Sequence, residues 1–212
     1  MPICIIHSKI VTDTGNHMKS TETKKTTDRD VTQLLNNLDS DGTKAYNKLF
    51  PLIYNELKDI ASIQIASERD DLTLNRTDLV HEVYMKWLHQ EELDCNNKKH
   101  LLRLASKAMH QILVDYARKK LASKRGGGAV KVELEEDRLN VKEAEEFLEL
   151  NEACNELKQI DERLYEIVEL KYFSGLSVRQ VAEALDISTS TVNRDWKKAK
   201  TLLFMKLKEI QS

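Results

Sequence analysis

The chain has 212 residues and a formal net charge of −2, and 32% of its residues are charged. This length suits two small domains, because a compact domain typically contains about 100 to 200 residues. The small net charge excludes a uniformly basic nucleic-acid-binding protein, so nucleic-acid contacts would have to come from local charge. No apolar run approaches the roughly 18 residues that a membrane-spanning helix needs, and we expect no membrane insertion.

The charge is distributed unevenly along the chain. Between Lys98 and Lys131 there are ten basic residues and one acidic residue. Between Val132 and Glu156 there are ten acidic residues and two basic ones. The basic segment is a candidate for nucleic-acid binding, although lysine-rich helix faces are also commonly just solvated.

The residue types that carry metal or catalytic chemistry are scattered. The three cysteines are far apart and form no CxxC pair, which predicts neither a disulfide framework nor a thiolate zinc site and favours the reducing cytoplasm. His81 and Glu82 resemble the start of an HExxH zinc motif, but Met85 stands at the position of its second histidine. No phosphate-binding or nucleophile-elbow motif occurs, so the sequence predicts no metal, no cofactor and no enzymatic activity.

The first domain is predicted at 28–125. Residues 1–27 before it are polar, and their composition predicts a disordered tail. Its apolar residues recur at helical spacing without strand-like alternation. A short helix begins near Val31. A second helix contains Pro51, which should either kink it or mark its first turn, and its apolar stripe comprises Tyr46, Leu49, Phe50, Ile53, Leu57, Ile60 and Ala61.

Two further helices complete this domain. One is predicted to begin at a Thr77 cap and to bury a line through Leu79, Val83 and Trp87. A polar loop follows it. A long basic helix then runs from His100 to Lys124 and ends at the glycines that follow. Residues 126–149 are interpreted as an acidic flexible linker between two helical domains, in a fold of the all-α class.

The second domain, at 150–212, shows four helical patterns that end in a helix-turn-helix. Ser177 and Gln180 have the spacing of a capping box at the start of the penultimate helix. Ala182 is small where two helices must approach each other, and Asp186 tolerates the left-handed conformation of the turn. Ser188 can then cap the last helix.

The last helix has two distinct faces in the predicted register. Val192, Trp196, Ala199 and Leu203 lie on one stripe that should be buried. The exposed face could enter a major groove, since Arg and Asn can contact base edges and Lys can contact phosphates. The alternative is an ordinary solvated face of a helical hairpin. The exposed residues are Ser190, Asn193, Arg194, Lys197, Lys198 and Thr201.

Three stretches, taken in this order, resemble a bacterial RNA polymerase sigma factor of the extracytoplasmic-function (ECF) group. "TDLVHEVYMKWL" resembles the helix that binds core polymerase. "LLRLASKAMHQILVDYARKKLASKRGGG" resembles the helix that reads the minus 10 element, and "LKYFSGLSVRQVAEALDISTSTVNRDWKKAK" resembles the minus 35 reader. The resemblance covers the chain from about Val31 to Leu207.

The resemblance implies a role for each of these stretches. Contacts with the clamp helices of the largest polymerase subunit would come from Asp78, Glu82, Met85, Lys86 and His89. A loop holding a flipped base would comprise Asn96, Asn97, Lys98, Lys99 and His100, and minus 10 DNA would be tracked by Lys107, His110, Gln111, Arg118 and Lys119. Minus 35 contacts would come from Ser190, Asn193, Arg194, Lys197 and Lys198.

The implied partners are core RNA polymerase, through its clamp helices and flap, and promoter DNA, double-stranded at minus 35 and single-stranded at minus 10. An anti-sigma protein is a further candidate. Asp195 lies where many relatives carry Arg, and Lys107 stands where Asn or Arg is common, so the promoter sequence does not transfer. The alternative interpretation of the chain is a stand-alone helix-turn-helix regulator with an N-terminal sensing or dimerisation domain. This alternative predicts a dimer and a palindromic DNA site.

Overall fold

The structure, a computed structural model, describes residues 31–35, 42–65, 75–88, 95, 97–125 and 141–210. Nearly all of these residues are helical and none of them is in a strand, which confirms the all-α class predicted from the sequence. They fall into two compact units that divide between Ile112 and Leu113. None of the described helices is long and apolar enough to cross a membrane.

Several sequence predictions lie outside the described residues. They concern the tail at 1–27, the side chain of Tyr46, His89, Asn96 and the first part of the linker, 126–140. The rest of the predicted linker, from Val141 onward, is helical and belongs to a helix that ends at Ile160.

The first unit is organised around helix α1, Gly42–Gln64, which follows a short helical segment at 31–35. Pro51 lies inside α1, beyond its first turn. The apolar stripe predicted for this helix is buried at Leu49, Phe50, Ile53, Leu57, Ile60 and Ala61. The 3.6-residue period therefore identified the buried face of α1 correctly.

Helix α2, Arg76–Leu88, packs on α1 through aromatic residues. The rings of Phe50 and Tyr84 pack edge to face, with their centroids 4.6 Å apart. The rings of Phe50 and Trp87 pack in the same way, with their centroids 6.3 Å apart. The predicted Thr77 cap is wrong. The side chain of Asn75 instead accepts hydrogen bonds from the backbone N–H groups of Thr77 and Asp78, because Asn is a stronger capping residue than Thr.

Helix α3, Lys98–Arg125, begins two residues before the predicted start at His100. The side chain of Asn97 accepts a hydrogen bond of 2.9 Å from the backbone N–H of His100 and thereby caps the helix. Lys98 is buried, and its ammonium lies 2.9 Å from a carboxylate oxygen of Glu56 on α1. Lys98 and Lys99, which we expected in the loop before the helix, are therefore helical.

The second unit contains residues 113–125 of α3. It continues with α4, Val141–Ile160, α5, Glu162–Val168, and a π-helical turn, Glu169–Phe173. Helices α6, Val178–Leu185, and α7, Thr189–Ile210, complete it. Helices α4 and α5 are separated at Asp161, whose carboxylate caps α5 by accepting a hydrogen bond from the N–H of Leu164. Helix α7 packs against α4, α5 and α6 and forms the centre of this unit.

The core of the second unit is apolar and includes a buried thiol. Burial raises the pKa of Cys154 to about 12, so its thiol stays protonated and packs like a small apolar residue. Trp196 on α7 is 7% exposed, and the ammonium groups of Lys171 and Lys200 lie 5.4 and 5.5 Å from its ring centroid. Cation–π attraction therefore adds to the apolar packing of this ring.

Replacing Trp196 by Ala should lower the free energy of unfolding of the second unit by roughly 3 to 5 kcal/mol, since the substitution leaves a cavity in the core. Met205→Ala is the matched control, because Met205 lies on the same helix and is 52% exposed. That variant should change the stability by less than about 0.5 kcal/mol. Chemical denaturation followed by circular dichroism measures both. Equal stability of the two variants would show that the register of α7 is wrong.

Candidate nucleic-acid interface

Helix α6 begins at a capping box that the sequence predicted. The side chain of Ser177 accepts a hydrogen bond from the N–H of Gln180, and the side chain of Gln180 accepts one of 2.9 Å from the N–H of Ser177. Two N–H groups that the first helical turn leaves without a backbone partner are satisfied in this way. The start of α6 is therefore fixed by local sequence.

The turn between α6 and α7 has the geometry predicted for a helix-turn-helix. Asp186 adopts the left-handed conformation, with φ 52° and ψ 45°. The N–H of Ile187 donates a 3.0 Å hydrogen bond to the carbonyl of Ala182, whose small side chain is buried. The small residue allows the two helices to approach, and the left-handed residue reverses the chain between them.

Helix α7 begins with a group of hydroxyl side chains. The Oγ of Ser188 accepts a 3.1 Å hydrogen bond from the N–H of Thr191, as predicted for its capping role. The same oxygen lies 2.7 Å from the hydroxyl of Ser190 and 2.8 Å from that of Thr191. These contacts fix the end of the helix from which the candidate base-reading side chains project.

The two faces of α7 are those that the sequence predicted. Val192, Trp196, Ala199 and Leu203 are buried in the core of the second unit. The opposite side is exposed at Ser190, Asn193, Arg194, Lys197, Lys198 and Thr201. The helix therefore presents amide, guanidinium and ammonium donors to solvent from a rigid, packed element. These are the groups that contact base edges and phosphates in a major groove.

Two ion pairs join this exposed face to the start of α5, and the sequence did not reveal them. Asp195 is buried and lies between Arg194, at 2.9 Å, and Arg163, at 3.0 Å. Lys198 lies 3.7 Å from the carboxylate of Asp161. Asp161, which caps α5, and Arg163, in its first turn, are distant in sequence from α7, so no spacing rule could have predicted these pairs.

The candidate minus 10 residues lie along α3. In the first unit, Lys107 and Gln111 are exposed and His110 is half-buried. In the second unit, Arg118 and Lys119 are exposed, and Arg118 lies 3.8 Å from Asp115. At the start of the helix, Asn97 and Lys99 are exposed and His100 is half-buried. The ammonium of Lys98 forms an ion pair with Glu56.

The candidate polymerase-binding residues lie on one helix, α2. Met85 is 50% exposed, which is unusual for a large apolar side chain, and Lys86 beside it is exposed as well. Asp78 and Glu82 are half-buried, and the carboxylate of Asp78 accepts a long hydrogen bond of 3.4 Å from the N–H of Asn75. Within the described residues no group of three or more His, Cys, Asp or Glu side chains could hold a metal ion.

The comparison with protein families decides which kind of helix-turn-helix protein this is. The model of the family described as "ECF sigma factor" matches residues 28–209. The chain belongs to the ECF sigma factor family. No curated protein matches the sequence.

As an ECF sigma factor, the chain binds RNA polymerase and acts in transcription initiation, and its partners are core RNA polymerase and promoter DNA. The family is one of initiation factors rather than enzymes. The match spans α1 to α7 and so includes both the exposed face of α7 and the basic helix α3. Because the family binds promoter DNA, the match favours the DNA-binding interpretation of α7 over that of a solvated hairpin.

The left-handed turn gives a prediction that does not depend on DNA. Replacing Asp186 by Val should destabilise the protein by roughly 1 to 2 kcal/mol, because a β-branched residue is strained at positive φ. Asp186→Gly is the matched control and should stay within about 1 kcal/mol of the wild type, since glycine adopts this conformation freely. Thermal denaturation compares the two. A Val variant as stable as the wild type would contradict the left-handed turn.

Proposed function

We propose that this sigma factor gives core RNA polymerase promoter specificity by reading the minus 35 element with α7 and the minus 10 element with α3, and that it assists promoter melting. The observation that carries the proposal is the exposed donor face of α7, which begins at a capped helix end and is backed by a packed core. The experiment that tests it is transcription in vitro with purified core enzyme.

The positions of the exposed side chains along α7 suggest that they contact different parts of the minus 35 DNA. Asn193 and Arg194 lie nearer the N-terminal end of the helix, where side chains reach base edges in a major groove. Lys197 and Lys198 lie one turn later and are assigned to phosphates, with Ser190 near the helix start as a further polar contact. The Lys198 side chain is exposed and its pair with Asp161 is long, so a DNA phosphate can replace the carboxylate at little cost.

At minus 10 we assign DNA tracking to Lys107, His110, Gln111, Arg118 and Lys119. A base flipped from the nontemplate strand would be held near Asn97, Lys99 and His100, with Asn96 as the neighbouring candidate. We do not assign Lys98 to base contacts, because it is buried and its ammonium forms an ion pair with Glu56. Melting requires no hydrolysis by the factor, since capture of unpaired bases supplies the free energy.

The proposed mechanism relies on the polymerase to bring the two DNA-binding helices together on one promoter. Each helix alone makes few phosphate contacts, so binding to free DNA should be weak and steeply dependent on salt. Attachment to polymerase gives each helix a high effective concentration at its element. The acidic segment 126–149 could hold the free factor closed, follow the basic RNA-exit path of the polymerase, or act as a solvated spacer.

We assign polymerase binding to Asp78, Glu82, Met85 and Lys86 on α2, with His89 as a further candidate, docking on the clamp helices of the largest subunit. Binding to the flap of the polymerase is assigned to the second domain. The exposed Met85 supports this assignment, because a large apolar side chain at the surface beside charged residues is typical of protein interfaces. An anti-sigma protein remains a candidate partner for the free factor.

Transcription in vitro provides the first test of this function. We expect purified factor and core polymerase together, but neither alone, to initiate at defined sites with asymmetric upstream elements. The reaction with core polymerase alone is the control for initiation factors that contaminate the polymerase preparation. Tight, specific binding to a palindromic site without polymerase, and no initiation when core enzyme is added, would favour the stand-alone regulator instead.

The second test separates base reading from phosphate contact on α7. Arg194→Ala should lose roughly 1 to 3 kcal/mol of discrimination at particular minus 35 bases. Lys198→Ala should weaken all promoters alike and lower the salt dependence by about one ion. Initiation is measured on duplex templates with the minus 35 bases varied one at a time.

A template already unpaired at minus 10 is the control for melting, and both variants should still initiate transcription on it. Equal losses on every minus 35 sequence would remove Arg194 from the base-reading set. Unchanged initiation by both variants would contradict the assignment of α7 to DNA.

A further inference from the structure

Asp195 is a buried carboxylate at the base of the exposed face of α7. Its side chain is 3% exposed, whereas that of the adjacent Arg194 is 70% exposed. A carboxylate loses its hydration on burial and is retained in a fold only where charged or hydrogen-bonding partners compensate for the loss. The partners of Asp195 therefore indicate its role.

The two oxygens of Asp195 face different helices. Oδ1 accepts a 2.9 Å hydrogen bond from Nε of Arg194. Oδ2 lies 3.0 Å from Nη2 of Arg163 on α5, but no described residue gives it a well-aligned hydrogen bond, so this contact is mainly an attraction between charges. Asp195 thus connects the guanidinium of Arg194 to α5.

We propose that Asp195 is a positioning residue that presents the Arg194 guanidinium to the minus 35 bases, with Arg163 as its anchor. The proposal rests on the minus 35 role proposed above for Arg194. A guanidinium has five N–H donors in a fixed planar arrangement. When Asp195 takes the Nε–H, both terminal nitrogens stay available, and a pair of such donors is what bidentate recognition of a base edge requires.

This arrangement has two physical consequences for DNA binding. A long exposed side chain samples many rotamers, and fixing it before binding lowers the entropy lost in the complex. A carboxylate so near the DNA would also repel phosphates, but the charge of Arg163 offsets it. Asp195 should therefore contribute to the choice of base, through Arg194, more than to general affinity for DNA.

The test is a double-mutant cycle on full-length factor with core polymerase, using promoters mapped with the wild type. Discrimination is the ratio of initiation on the preferred minus 35 base to initiation on an altered base. Asp195→Ala should lower this ratio about fivefold to tenfold at the bases that Arg194→Ala identifies, in line with the loss of one good bidentate contact. In the Arg194→Ala background the same change should have no effect on the ratio.

Two further variants keep the test decisive if Asp195→Ala is unstable. Arg163→Gln removes only the anchor, whose side chain is half-exposed, and should lower the ratio about twofold to threefold, again only when Arg194 is present. Asp195→Asn keeps an oxygen that can accept from Nε and should retain more discrimination than Asp195→Ala. Glu156→Gln is the matched control, because it removes a carboxylate paired with Lys206 of the same helix and should leave the ratio unchanged.

The outcomes distinguish this proposal from the one on which it rests. If Arg194→Ala leaves discrimination unchanged, the minus 35 role of Arg194 is wrong and the positioning role falls with it. If Arg194→Ala lowers discrimination but Asp195→Ala and Arg163→Gln do not, only the positioning proposal is wrong. Equal losses from Asp195→Ala in both Arg194 backgrounds would show that Asp195 supports the fold instead.

Discussion

Burial of the apolar stripe of α7 is the constraint on which the candidate interface depends. Val192, Trp196, Ala199 and Leu203 fix the rotation of this helix against α4, α5 and α6. Because an α-helix has 3.6 residues per turn, that rotation also determines which side chains face solvent. The exposed donors are therefore held by the same packing that stabilises the domain, and a rigid helix places them more accurately than a loop would.

The start of α5 shapes the electrostatics of that face. Asp161 caps α5 and also lies near Lys198, while Arg163, two residues later, meets Asp195. The two pairs differ in burial and hence in strength. The exposed Lys198 pair is weak and exchangeable, whereas the buried Asp195 carboxylate depends on its partners, because their removal would leave a charge without compensation. One helix terminus can thus leave one candidate DNA-contacting side chain, Lys198, free to exchange partners while it restrains another, Arg194.

The helices of the first unit begin at polar residues that have structural roles. From the sequence motif alone, residues of these types would be assigned to nucleic-acid binding. Asn75 and Asn97 cap α2 and α3, and Lys98 pairs with Glu56 on α1. Asn and Lys are typical of nucleic-acid contacts, but they also satisfy the unpaired N–H groups of a helix and the carboxylates of a neighbouring one. The minus 10 candidates are consequently better defined along the exposed part of α3 than at its start.

The all-α class, the buried faces of α1 and α7, the capping box of α6 and the left-handed turn at Asp186 could all be predicted from the sequence. Each of these depends on residues within a few positions of one another, where helical periodicity and capping rules apply. The burial of Lys98 against Glu56 and the pairing of the buried Asp195 with Arg163 could be seen only in the folded protein. Those two contacts join helices that are distant in the chain, so they depend on how the helices pack and not on any local spacing of residues.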